Sequence, residues 1–315
     1  MRAVVMRRFG GPEVLEIAEV PEPRPRRGHL LVDVTRAGVN YADIHVRGDT
    51  YLAPVALPYI PGNEIVGTAE DGRRVAALTH GGGYAEKALA HSRVSWHIPD
   101  DVTDDQAAAL ALQGNSAWHL LFTAARLRAW ERVVIPAAAG GLGSLAVQLA
   151  KRAGARVIAL AGSEDKRRTA LSLGADAVVD SSTADGLTER ILEAAGGPVQ
   201  VALEMTGGAT FHATLGAVGP RGRLVVYGYA SGDHATAPTS VLMEKSITVT
   251  GFWLPNLYAD RDALPTSMKA LFGAVGSGEL RPLIGAVRPL AEAPLAHASL
   301  AGRTNVGKIL LSPAS

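Results

Sequence analysis

The sequence predicts an α/β chain of two domains, a β-rich domain followed by a doubly wound parallel sheet. Three observations carry that expectation. With 315 residues the chain is long enough for two domains with full cores. Residues 1 to about 110 are short β-type runs broken by Gly and Pro turns. From Val133 onward strands and helices alternate, opening on a glycine-rich turn. The expected domains are residues 1–115, completed by about 282–315, and residues 116–281.

Along the first part, Ala3–Met6 and Val14–Val20 read as strands joined by a turn at Gly10-Gly11-Pro12. Pro21, Pro23 and Pro25 forbid regular structure between them and the next strand. His29–Val34 alternates as a strand should, and Val66–Leu78 gives two short strands around Asp71-Gly72. Gly81-Gly82-Gly83 opens another strand, and Asp104 is expected to cap an alanine-rich helix from Asp105 onward. Six strands then follow, at Val133–Ile135, Val157–Leu160, Ala177–Val179, Val201–Glu204, Leu224–Tyr227 and Thr248–Gly251. Asp262–Val275 looks helical. Val306–Leu311 is a last strand with no parallel partner nearby in sequence, so it is expected to return to the first domain.

The most informative stretch is Val133–Lys166, which reads strand, glycine turn, helix, strand and basic tip. Gly140 and Gly143 stand where a backbone turns sharply and can approach a pyrophosphate, although Ala138 holds the first glycine place of a strict GxGxxG. Ala139, Gly140, Gly141, Leu142 and Gly143 are therefore candidate phosphate contacts, because a helix start offers unpaired amides and a positive dipole end. The alternative is a βαβ unit whose glycines serve packing alone. An NAD site usually carries a carboxylate about 20 residues past the glycines. Here that place falls at Ala161 and Gly162, followed by Ser163, Lys166, Arg167 and Arg168. A hydroxyl and cations suit a 2′-phosphate, which points to NADPH. The competing reading is a solvated helix start, with Glu164 and Asp165 favoured by the dipole.

Composition narrows the function classes. The formal net charge is +1, and the one arginine patch, Arg24, Arg26 and Arg27, is short and interrupted by proline. Neither nucleic acid nor a membrane surface is an expected partner. With no cysteine there is no disulfide, thiolate nucleophile or cysteine-ligated metal. The first residues read directly as a strand, with neither a signal peptide nor a membrane span, so a cytoplasmic location is the default expectation.

Eight segments in order resemble the medium-chain dehydrogenase/reductase superfamily, in its zinc-free quinone oxidoreductase (zeta-crystallin-like) branch. They are FGGPEVLE from Phe9, AGVNYADIHVRGD from Ala37, LPYIPGNEIVG from Leu57, GGGYAE from Gly81, the alanine helix ending near Gly114, AAAGGLG from Ala137, LGADAVVD from Leu173 and NVGKILL from Asn305. The resemblance implies a GroES-like β-barrel domain, a Rossmann domain, an active site in the cleft between them and a homodimer. Zinc-dependent relatives hold their metal with a cysteine and a GHE histidine. The matching positions here are Asn40 and Asn63, neither a usual zinc ligand, so no metal is expected.

The resemblance also implies roles for single residues. Asn40 would lie near the nicotinamide and orient the ring or the substrate oxygen; the alternative is a turn residue supporting its own loop. Tyr51 would be a proton donor or an aromatic wall, with Tyr41 as its rival. Asp43 and Arg47 share that loop and are expected as a structural pair, and Glu64 as a loop-fixing ion-pair partner. Gln113 and Ser116 replace threonines near the nicotinamide. Thr206, Gly207 and Gly208 follow the fourth strand of the sheet, where Glu204 replaces an aspartate. Gly228, Phe252, Arg303 and Asn305 are further cofactor contacts, and Ser181 stands where relatives place a tyrosine near the adenosine phosphate. Phe252, Trp253, Leu254, Leu257 and Tyr258 form either an apolar substrate pocket or a dimer edge. The implied activity is NADPH-dependent hydride transfer to a quinone or an activated alkene. An enoyl reductase of a biosynthetic pathway and a non-catalytic NADPH-binding protein are the alternatives.

Overall fold

The computed structural model describes residues 1–313. Its contacts divide the chain into two units, Met1–Asn115 with the described residues from Leu257 onward, and Ser116–Asn256. The first unit begins with an antiparallel pair, β1 (Arg2–Met6) and β2 (Leu15–Glu19). There follow β3 (His29–Val39), α1 (Tyr41–Arg47), β4 (Glu64–Ala69), β5 (Arg74–Leu78), β6 (Lys87–His91), β7 (Ser95–His97) and α2 (Asp104–Ala109). A π-helical turn, Leu110–Gly114, leads into α3 (Asn115–Trp118), where the unit boundary falls.

The second unit continues through another π-helical turn, His119–Ala124. Its strands are β8 (Arg132–Ile135), β9 (Arg156–Ala161), β10 (Ala177–Asp180), β11 (Val199–Glu204), β12 (Val218–Val226) and β13 (Thr248–Gly251). Between them lie α4 (Gly141–Arg152), α5 (Glu164–Ser172), α6 (Leu187–Ala195), α7 (Gly208–Ala217) and α8 (Thr239–Lys245). All pairings are parallel, in the order β10-β9-β8-β11-β12-β13. The first strand is thus central, and strand order reverses between β8 and β11. Such a reversal opens a crevice at the carboxyl ends of the strands, and the glycine turn after β8 sits at that point. Val133, Val134, Ile135 and Val157 through Leu160 are all buried, as strands covered on both faces must be.

The chain then returns to the first unit with α9 (Ala263–Gly276), β14 (Ile284–Pro289), α10 (Ala293–Ala301) and β15 (Lys308–Ser312). Strand β3 is the hub of that unit. Its first half pairs β6, its last residues pair β15, and β4 runs along it antiparallel. Leu311 and Ile309 of β15 join Val32, Val34, Val39 and Ile65 in one apolar cluster.

Several expectations are corrected. Thr103, not Asp104, caps α2: its hydroxyl accepts the Gln106 amide while the Gln106 side chain accepts the Thr103 amide. Asp104 is the first helical residue, and its carboxylate is taken by Arg74 and Thr35. Strand β15 does have a parallel partner close in sequence, β14, reached through α10. The loop expected after Ala37 is instead the end of β3 followed by α1. The second boundary lies at 256/257 rather than 281/282, because α9 packs on the first unit; Ser267, buried on α9, donates to Asn115 Oδ1. Among the described residues no helix is long and apolar enough to cross a membrane.

If β15 completes the first core, Leu311→Ala should destabilise the chain by about 2–5 kcal/mol. Urea unfolding measures this, and a loss below about 1 kcal/mol would place the strand outside the cooperative core.

Candidate functional site

In the first unit, chemistry-bearing side chains converge in the interior. Lys308 and Glu64 are fully buried and form an ion pair. Lys308 Nζ also donates to Val39 O at 3.0 Å and Asn40 Oδ1 at 2.8 Å, so all three ammonium protons have acceptors. Burial pulls this ammonium below the ordinary lysine range, and the Glu64 charge opposes that pull. The Glu64 carboxylate further accepts Asn40 Nδ2 at 2.8 Å and the Leu112 amide at 2.7 Å. Glycine at position 38 makes room for it, since a Cβ there would overlap the carboxylate.

Asn40 immediately precedes α1 and is almost wholly buried. Its two amide protons go to Glu64 and Gly38 O, and its oxygen accepts Lys308. Its contacts make Asn40 a member of this polar cluster. Asp43 and Arg47, expected as a pair, take separate partners. Asp43 accepts the Asn40 amide, Asn63 Nδ2 and the Tyr84 hydroxyl. Arg47 reaches Gly10 O and His297 Nδ1. His297 Nε2 lies 3.1 Å from the Tyr84 hydroxyl. With Tyr84 donating to Asp43 and Arg47 donating to Nδ1, the histidine is neutral with its proton on Nε2. Burial drives His297 down to about 3 and Asp43 up to about 6. Tyr84, Lys308 and His297 were not singled out by the sequence; nothing distinguishes a buried Lys or His in an apolar strand or helix until its partners are known.

Tyr51 is half-buried and packs with Val55, Leu57 and Tyr59 against the first core. Burial, with Asp43 and Tyr51 nearby, raises Tyr59 to about 12. Tyr41 meets His45, one turn on in α1, in an edge-on ring contact. Gln113 lies in the π-helical turn, and its Oε1 is buried without a partner within the protein. Arg303, with a left-handed backbone, and Asn305, bonded to Gly307 O, are on the α10–β15 connection of this unit. Ser116 is buried and begins the second unit. The apolar cluster expected around Phe252 is split, with Phe252, Trp253 and Leu254 in the second unit and Leu257 and Tyr258 in the first.

In the second unit the glycine turn leaves donors open. Gly140 precedes α4 with no side-chain cap, and the first turn of the helix carries no acidic residue. A Cβ at Gly143 would overlap Ala137 O, so glycine alone lets the helix start press on the turn. The amides of Gly141, Leu142 and Gly143 are thus left without a side-chain cap at the positive end of the helix dipole, an arrangement that can receive an anion. At the tip of β9, Gly162 and Ser163 are exposed, and Ser163 caps α5 by accepting the Lys166 amide. Glu164 and Asp165 both pair with Arg168, and Arg167 pairs with Asp180. Ser181 donates its amide to Ala161 O beside this tip. Thr206 and Gly207 give their amides to buried Glu204, whose carboxyl burial pushes up. Gly207 has φ +82, and Gly208 begins α7. Gly228 follows β12 against Met205, while the Phe252 amide is used by Val226 O.

Two features of the second unit fit a dinucleotide: an uncapped glycine helix start for the pyrophosphate, and a β9 tip followed by carboxylates that pair with Arg168. Residues 26–100 match the alcohol dehydrogenase GroES-like domain family and residues 141–272 the zinc-binding dehydrogenase family. Quinone oxidoreductase of Pseudomonas aeruginosa is 34% identical, over 97% of this chain and 97% of that protein. Among solved structures, Escherichia coli quinone oxidoreductase complexed with NADPH superposes with TM-score 0.94 at 29% identity, over 99% of this chain and 100% of that one. Quinone oxidoreductase of Thermus thermophilus gives 0.90 at 36% identity, over 99% and 100%. Zinc, which the second family description names, does not fit the residues present. Asn40 and Asn63 spend their amides on Glu64, Gly38 O and Asp43, and the Lys308 cation already lies against Asn40. Among the described residues no group of three or more His, Cys, Asp or Glu side chains comes together to hold a metal.

The two shifted groups act oppositely on acid stability. Asp43 titrates near 6 in the fold and 3.8 in the reference chain, so acidification from pH 6 to 4 loads a proton on the native state and stabilises it. His297 titrates near 3 against 6.5, so acidification from pH 6.5 toward 3 protonates the unfolded chain and destabilises the fold. Unfolding free energy measured against pH should therefore fall more steeply toward acid in Asp43→Asn than in the parent, and less steeply in His297→Asn. The reverse order would contradict this assignment.

Proposed function

On the premise that this chain belongs to the quinone oxidoreductase branch of the medium-chain dehydrogenase/reductase superfamily, we propose that it is an NADPH-dependent, zinc-independent reductase of quinones. The observation that carries the reading is the bare α4 start joined to a β9 tip free of an inward carboxylate. Gly141, Leu142 and Gly143 would bind the pyrophosphate through their amides. Ser163 and Lys166 would hold the 2′-phosphate, the hydroxyl and ammonium both donating to its oxygens. NADPH, when bound, supplies a hydride to an electron-poor acceptor. A quinone spreads the arriving charge over its ring and takes its proton from water, so the protein need supply only position and apolar cover. An activated alkene needs a proton on carbon, and Tyr51 is the side chain proposed for it.

The proposal extends to a homodimer. Among the described residues edge strand β13 pairs only β12, and α8, which precedes it in sequence, buries no residue and exposes Met243 at 80%. Both features suit pairing with a second copy. Light scattering tests it, and a mass near 33 kDa rather than twice that would reject it.

Absorbance at 340 nm with a quinone acceptor should show NADPH preferred to NADH by at least about tenfold in kcat/KM. Lys166→Ala should narrow that preference by about the same factor. Equal use of both nucleotides by the parent would contradict the phosphate site. Tight NADPH binding with no oxidation across quinones and enones would support a binding role instead. Tyr51→Phe should leave quinone turnover within about twofold while lowering enone turnover by about a hundredfold; unchanged enone turnover would remove Tyr51 as the acid.

A further inference from the structure

An α-helix returns each amide to the carbonyl four residues back, but the Leu110–Gly114 turn closes from the Asn115 amide to Leu110 O, one residue wider. The widening displaces backbone groups from the ladder, and two side chains collect them. Glu64 accepts the Leu112 amide at 2.7 Å. Asn115 Nδ2 donates to Ala111 O at 2.7 Å and its Oδ1 takes the hydroxyl of Ser267 on α9. The Glu64 carboxylate can sit in this interior because Lys308 and Asn40 satisfy its other oxygen. The residue after Leu112 is Gln113, whose buried Oε1 has no partner within the protein. Buried carbonyls without a donor are uncommon in native proteins, and one next to a π-helical turn points to a ligand that brings the donor.

We infer that Glu64, held by Lys308, is a positioning residue that fixes the Leu110–Gly114 turn so that Gln113 Oε1 accepts a hydrogen bond from the bound ligand. The inference rests on the reading as an NADPH-dependent quinone reductase. The donor is an N–H or O–H group, brought either by the nicotinamide half of the dinucleotide or by the hydroquinone product. Lys308 acts at one remove: its ammonium neutralises Glu64 and its own protons are all committed.

Two double variants separate positioning from mere burial of a charge pair. Glu64→Gln with Lys308→Met removes both charges but keeps an oxygen for the Leu112 amide. Glu64→Leu with Lys308→Met removes the oxygen as well. NADPH affinity is read by fluorescence without quinone, hydroquinone inhibition is read in turnover, and exchange of the Leu112 amide is read in the nucleotide-free protein. The leucine variant should lose about tenfold in affinity for the donor-bearing ligand relative to the glutamine variant, with faster Leu112 exchange. Gln113→Leu in the parent, a substitution at a half-buried position, should lose a similar factor. Loss in NADPH affinity assigns the donor to the dinucleotide; loss confined to hydroquinone inhibition assigns it to the product. Equal ligand affinities in the two double variants overturn the positioning role. A Gln113→Leu protein that matches the parent in both arms overturns the acceptor role, and decides the matter alone should the double variants not fold. A parent protein that binds no NADPH at all overturns the functional reading and this inference with it, a result distinct from bound NADPH with indifferent variants.

Discussion

The first unit is built around a cation that has no access to water. Lys308 can remain an ammonium only while Glu64, Asn40 Oδ1 and Val39 O all accept from it. Those partners come from β4, from the residue before α1 and from the end of β3, so one charge ties the last strand to the early ones. Such a pair adds little net stability over an apolar pair of the same volume, yet breaking it by removing one partner costs about 3–5 kcal/mol. What it secures is geometry. Glycine at 38, the orientation of Asn40 and the wide turn at Leu110–Gly114 each follow from giving the Glu64 carboxylate a place and a full set of donors.

The second unit solves the opposite problem. There the sequence leaves a helix start without a side-chain cap, whereas Lys308 in the first unit spends every proton. The helix starts of α2 and α5 are closed by Thr103 and Ser163, but α4 begins on Gly140 with no side chain across its amides. The one buried carboxylate near the strand ends, Glu204, is consumed by the Thr206 and Gly207 amides, so it does not compete for an anion.

Much of this was legible in the sequence because the signals are local. The glycine turn, the six strand runs and the loss of a carboxylate after Ala161 each depend on a few consecutive residues, and all appear where the pattern placed them. The closing strand was legible as a strand, but not its parallel partner β14, because the intervening α10 carries no strong amphipathic signature. The sequence points to Asn40 through the resemblance alone; its partners, 24 and 268 residues away, set it in a buried network that no local pattern reveals. The π-helical turn at Leu110–Gly114 was hidden for the same reason. Its alanine-rich run reads as plain helix, and the distant Glu64 carboxylate, with Asn115, takes up the backbone groups of the widened turn.

The contact between Lys308 and Asn40 bears on the proposal that the reaction runs without a metal. A lysine ammonium stands against Asn40, one of the positions where the resemblance places a zinc ligand, which suits hydride transfer without a Lewis-acid metal. The direct measurement is the rate of quinone-dependent NADPH oxidation before and after exhaustive dialysis against a chelator, with metal content by elemental analysis on the same samples. An unchanged rate, with zinc far below one equivalent per chain, is the expected result. A rate that collapses on chelation and returns with added zinc would contradict it.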